Sequence, residues 1–166
     1  ELPDAVWCLI GHLQTNKVKR ALELFDEIHS VDSLKLAAEL NRRCQESGRE
    51  LPVLLQINSS GEAQKYGLAP EETLQKAARL AELPALRLRG LMTMGPLTDD
   101  QSAIRKAFHT TRQLHDRMQR AGLYRPAPGR PPELSMGMSD DFALGIAEGS
   151  TMVRIGTAIF APHQDV

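Results

Sequence analysis

The sequence predicts an α/β fold with a parallel sheet, and three observations carry that reading. Short apolar runs alternate with amphipathic stretches along the 166 residues. Several of these runs have no polar face, as strands covered on both sides do. Six strands in this length give about 28 residues per strand–helix unit, the size of a βα repeat. Two architectures fit: an open doubly wound sheet, or about six of the eight units of a (β/α)8 TIM barrel. No GxGxxG follows the first strand and no GxxxxGKS/T occurs, so the usual nucleotide signatures of the open sheet are missing. Eight units of this size would come to roughly 220 to 250 residues, an ordinary barrel length.

The elements follow in order. Val6 to Ile10 reads as the first strand, closed by Gly11. Thr15 to Phe25 places Val18, Ala21, Leu22 and Phe25 at helical intervals. Glu27 to Val31 is a second strand, and Asp32 or Ser33 can cap a helix that runs to about Ser47 and stops at Gly48. Leu51 to Asn58 is the clearest strand. Pro70, Glu71 and Glu72 open a helix, with Pro suited to the first turn and carboxylates to the positive dipole end, and Pro84 ends it. Leu86 to Met92 is the fourth strand, and Ala103 to Ala121 a long helix ended by Gly122. Tyr124 to Pro132, with four prolines and a glycine, reads as an irregular connection of the βα type. Leu134 to Met138 is the fifth strand, Asp140 to Glu148 a short helix, and Met152 to Phe160 the sixth strand. No internal boundary interrupts this series, so residues 1–166 read as a single, partial domain.

Composition excludes several classes. Hydrophobic residues are 42% and charged residues 25%, an ordinary globular balance that argues against disorder. Twenty Lys and Arg against 21 Asp and Glu leave a formal charge of -1, with no sign of a nucleic-acid surface. Mean hydropathy is -0.31 and no apolar run approaches the roughly 18 residues of a membrane span. Cys8 and Cys44 form no CxxC pair or disulfide framework, which fits a reducing cytosol. The chain starts at Glu1, almost directly with a strand, so the expectation is of a piece of something longer.

The chemistry-bearing positions gather at the last two strands. In LSMGMSDD (Leu134 to Asp141), Ser139 and Asp140 read as an N-cap and an acidic first turn. Ser135 and Gly137 offer a small hydroxyl and a bare backbone at a strand end, where a ligand can come close. In VRIGTAIF (Val153 to Phe160) an arginine and a glycine interrupt an apolar run. Barrel phosphate sites are often built after the seventh and eighth strands; if these are those strands, Ser135, Gly156 and Thr157 converge on a phosphate. The histidines His12, His29, His109, His115 and His163 show no metal-ligand spacing. Lys17, Lys19 and Arg20 read as a solvated face, and Cys8 as packing. Arg87 and Arg89 alternate with leucines in a strand that should be buried, so either they sit at its exposed start or one is paired inside.

Together, WCLIGHLQTNK (Trp7 to Lys17), QINSSGEAQKYG (Gln56 to Gly67), LRGLM (Leu88 to Met92), LSMGMSDD and GSTMVRIGTAIF (Gly149 to Phe160) resemble the pyridoxal phosphate homeostasis proteins. These are single-domain relatives of the N-terminal barrel of alanine racemase, and the likeness spans essentially the whole chain in order. It implies a (β/α)8 TIM barrel of the alanine racemase N-terminal type, with about six of the eight units present. The implied ligand is pyridoxal 5′-phosphate, and the implied role is cofactor binding in vitamin B6 and amino acid homeostasis without catalytic turnover. By motif, Ser135, Gly156 and Thr157 would bind the phosphate, Arg154 would face the pyridine nitrogen, and Met136 and Ile10 would lie near the ring. An arginine can only donate to that nitrogen, which disfavours the protonated ring of aminotransferase-type catalysis. The implied partners are the cofactor and the apoenzymes that use it, with neither nucleic acid nor membrane.

The sequence departs from the family in three places. The units that would carry the family's Schiff-base lysine are missing, Cys8 stands at a usual histidine, and Ala161 stands at a usual glycine. Lys65 and Lys17 follow strand ends but read as surface lysines. A complete barrel would be a monomer, whereas a partial one exposes two strand edges and would self-associate. Two alternatives stay open: a racemase-like enzyme on the same barrel, and a truncated barrel without a competent cofactor site.

Overall fold

The structure, a computed structural model, describes residues 4–62 and 64–160. Its strands are β1 (Cys8–Leu9), β2 (Glu27–Val31), β3 (Leu51–Ile57), β4 (Leu86–Thr93), β5 (Glu133–Met138) and β6 (Met152–Arg154). Its helices are α1 (Val18–Leu24), α2 (Leu34–Glu46), α3 (Pro70–Ala81), α4 (Gln101–Arg120), α5 (Phe142–Ala147) and α6 (Thr157–Phe160), with a 3-10 turn at Thr15–Lys17.

All six strands are parallel and lie side by side in sequence order. A doubly wound sheet would reverse its order at a switch point. This sheet has no reversal, and each of α1 to α4 packs against the next helix in the chain. With right-handed crossovers that arrangement puts the helices on one side, as in a barrel wall. The open-sheet alternative is thereby removed. The edge strands β1 and β6 are short, two and three residues, and do not pair with each other among the described residues.

Local signals explain most boundaries. Ser33, not Asp32, caps α2, its side chain accepting from the Leu36 amide. Pro70 opens α3 with Glu71 and Glu72 in its first turn, and Asp100 caps α4 through the Ser102 amide. The proline-rich stretch 124–132 forms no helix or strand. It joins a helix to a strand, however, and so lies at the strand-start end, opposite the face where barrel ligands bind. The apolar run expected as a strand from Met152 to Phe160 divides: β6 ends at Arg154 and the chain turns into α6 at Thr157.

Period-2 alternation sorts the strand residues into two faces. Ile28, Val53, Leu55, Ile57, Leu88, Leu91, Leu134 and Met136 pack with Leu36, Leu40, Leu80, Phe108 and Met118 in the helix-side core. Glu27, His29, Leu54, Gln56, Met92, Glu133 and Ser135 alternate with them and, though buried, belong to the concave face. One bulge alters the pattern. Val53 faces Leu88 and Leu54 faces Gly90, which leaves Arg89 as the extra residue. Arg89 is buried there, bonded to Glu27 of β2 and Glu133 of β5. Of the two readings of Arg87 and Arg89, pairing inside the sheet holds for Arg89.

Candidate functional site

The end of β5 and the end of β6 are drawn together by one side chain. The Ser139 hydroxyl oxygen accepts from the backbone N–H of Gly156 at 3.3 Å and of Ala158 at 3.2 Å. Ser139 is therefore not the cap of α5. That position falls to Asp141, whose carboxylate accepts from the Met138 amide at 2.6 Å. Gly156 is exposed, and a Cβ placed on it would meet nothing within 4 Å, so there is room for a ligand beside its amide. Thr157 is exposed at the first turn of α6.

Arg154 is the charge of this corner. Its Nη1 donates to the hydroxyl of Ser135 at 2.7 Å and to the Ser135 carbonyl at 3.1 Å, and its Nη2 to the Thr93 carbonyl at 2.9 Å. Thr93 is itself braced: its hydroxyl donates to the Ile57 carbonyl at 2.9 Å and shares a 2.8 Å bond with Ser59. The guanidinium thus spans β4, β5 and β6. Burial lowers its affinity for a proton and the nearby Asp141 carboxylate raises it. Arginine stays charged at any ordinary pH all the same. Three acceptors hold it, and a guanidinium has five N–H groups, so donors remain for a ligand atom.

Of the residues singled out by sequence, Ser135 and Arg154 are in direct contact, and Gly156 and Thr157 lie just beyond them. Ser135 is fully buried with its hydroxyl taken by Arg154, so its place is to hold the guanidinium. The hydroxyl that meets the amides is that of Ser139. Met136 is buried in the helix-side core, and its side chain faces away from the concave face. Ile10 is half exposed just past β1, at the opposite edge of the sheet from β6. Gly137 has φ +94, and a Cβ there would press on the Cα of Phe142 at 2.7 Å. It is a glycine because α5 packs directly on it. Lys65 donates to Glu62 at 2.7 Å and to the Gly95 carbonyl at 2.9 Å, while Lys17 is exposed. Ala161 and His163 lie outside the described residues.

A cleft of about 840 Å³ opens beside this corner, lined by Lys65, Gly95, Leu97, Met138, Asp140 and Asp141 among others. With Asp99 it carries three carboxylates against one ammonium, the wrong sign for a phosphate. The amide-and-arginine corner is the better anion site.

Two arrangements escaped the sequence. At the ends of β1 and β2, His12 Nδ1 lies 2.9 Å from Asp32, and its ring stacks on Tyr66 with centroids 3.6 Å apart. The pairing signal is Asp32 itself, which is free for His12 because Ser33 makes the cap. At the other end of the concave face, Cys8, Glu27 and His29 bring ligand-type atoms within 4.8 Å of one another. Linear spacing could not reveal this, since β1 and β2 are joined only by register, Cys8 opposite Glu27.

Residues 1–164 match the family model described as alanine racemase, N-terminal domain. A pyridoxal phosphate homeostasis protein of Helicobacter pylori is 44% identical over 156 residues, 93% of this chain and 66% of the relative. The chain thus spans slightly less than two thirds of that relative's length. A solved structure of PipY from Synechococcus elongatus, with PLP bound, superposes with TM-score 0.83 at 38% identity, covering 96% of this chain and 72% of that one. An alanine racemase of Clostridium difficile shares the fold at TM-score 0.77 and 20% identity, over 96% of this chain and 41% of that one.

Proposed function

Because the chain belongs to the pyridoxal phosphate homeostasis proteins of the alanine racemase N-terminal domain family, we propose that it binds pyridoxal 5′-phosphate at the β5–β6 corner. Its role on this reading is to hold and release the cofactor in vitamin B6 and amino acid homeostasis, without turnover of its own, for the apoenzymes that use it. The observation that carries the reading is the braced Arg154 beside two backbone N–H groups gathered on Ser139.

The residues fit the group. The Gly156 and Ala158 N–H groups, which donate to Ser139 here, would turn to or be shared with phosphate oxygens, Ser139 and Thr157 would add hydroxyls, and the bare Cα of Gly156 leaves space for the group. Arg154, locked by Ser135 and Thr93, presents its remaining N–H donors to the ring nitrogen. When bound, the cofactor supplies a reactive aldehyde and an electron-accepting ring. A donor-only neighbour at the ring nitrogen keeps that nitrogen unprotonated, which weakens electron withdrawal and favours a carrier over a transaminase.

Titration calorimetry tests the reading with pyridoxal 5′-phosphate against pyridoxal, which lacks the phosphate. Saturable 1:1 binding of the phosphate form, at least about tenfold tighter than pyridoxal, is expected from two or more charge-assisted hydrogen bonds. No saturable binding, or equal affinity for the two compounds, would overturn it.

A further inference from the structure

We propose that Cys8, Glu27 and His29 form a binding site for one thiophilic divalent cation of the zinc class, on the concave face at the strand-start end. It goes beyond the cofactor reading and shares no residue with it.

The backbone sets the cluster. Cys8 and Glu27 are register partners across β1 and β2, and His29, two residues beyond Glu27, projects to the same face. His29 Nε2 is already 3.0 Å from a Glu27 carboxylate oxygen, and all three ligand atoms lie within 4.8 Å of one another. Zinc–ligand bonds of 2.0 to 2.3 Å in a tetrahedron place ligand atoms about 3.3 to 3.8 Å apart. Side-chain rotation of about an ångström therefore closes the set around an ion. His29 and Glu27 are buried and Cys8 is half buried, so an ion approaches past the sulfur.

Neighbouring groups orient the ligands and call for positive charge. The other oxygen of Glu27 accepts from Arg89, which fixes the carboxylate from outside, as supporting partners do at metal sites. Arg89 also holds Glu133, so two buried carboxylates share one guanidinium. The second oxygen of Glu133 is buried with no hydrogen-bond partner among the described residues. That unmet acceptor is an independent sign of missing positive charge, because buried carboxylate oxygens are otherwise paired. A thiolate and an imidazole select zinc-like ions over magnesium or calcium, and three protein ligands leave one position for water.

The test is a cobalt(II) titration of the reduced, metal-stripped chain without oxygen, followed by zinc(II). Saturation at one equivalent is expected, with a near-ultraviolet thiolate-to-cobalt absorption that one equivalent of zinc removes. Cys8→Ser should abolish that absorption and weaken zinc binding more than about tenfold, since even supporting partners cost 10- to 100-fold. Ser139→Ala should leave both unchanged, which separates this site from the cofactor corner. Absence of stoichiometric binding, or a thiolate absorption that survives Cys8→Ser, overturns the proposal. Should Cys8→Ser lose its circular dichroism, alkylation of the unaltered chain decides: zinc must protect Cys8 from iodoacetamide, and equal labelling with and without zinc overturns the site.

Discussion

The Ser135 hydroxyl on β5 accepts a 2.7 Å hydrogen bond from Nη1 of Arg154 on β6. A bond from a charged donor to a buried acceptor contributes about 1.5 to 3 kcal/mol. Ser135→Ala is therefore expected to lower unfolding stability by that amount in urea, with an unchanged m-value. The variant should weaken pyridoxal 5′-phosphate and pyridoxal alike, because the loosened group is the arginine at the ring end.

Ser139→Ala removes the oxygen that gathers the Gly156 and Ala158 amides. Affinity for pyridoxal 5′-phosphate should fall by about 1 to 2 kcal/mol, roughly tenfold, while affinity for pyridoxal stays the same. Calorimetry on the two compounds separates this phosphate-side effect from the ring-side effect of Ser135→Ala.

Gly90 sits directly against the backbone of Glu133, and a Cβ there would overlap the Glu133 carbonyl oxygen. Backbone cannot yield as a flexible side chain can, so β4 and β5 would be forced apart at their first paired residues. Gly90→Ala is expected to cost more than about 3 kcal/mol, read as a large fall in the urea midpoint.

His115 is buried on α4 beside Tyr124, and its ring nitrogens make no hydrogen bond among the described residues. Burial lowers its proton affinity below the ordinary 6.5, although Asp116 opposes the shift. The unfolded chain then binds the proton more readily than the folded one. Stability contributed by the neutral ring is complete above about pH 6.5 and is lost as pH falls toward the lower folded value. Thermal melts should show a steeper loss on acidification for the unaltered chain than for His115→Gln.

The sequence disclosed what local chemistry decides. Pro70 with Glu71 and Glu72, and the cap at Ser33, act within one turn of their own helices and could be read directly, whereas the Asp100 cap of α4, directly before Gln101, was not. The run after Arg154 could not, because a short apolar stretch suits strand and helix alike. Ser139 was misread because its partners are amides of another element, seventeen and nineteen residues away. Arg89 faces inward because of a bulge, a feature of two paired strands that neither strand announces alone.

Strand order follows chain order, and Ser135, Ser139, Arg154, Gly156 and Thr157 all fall between Glu133 and Phe160, whereas Cys8, Glu27 and His29 precede β3. The stretch 124–132 is the covalent link between these two territories, and no strand pairing runs through it. A graft made at that link must therefore keep the pairing of Gly90, Leu91 and Met92 with β5 together with the Arg89–Glu133 and Arg154–Thr93 contacts that cross the same seam.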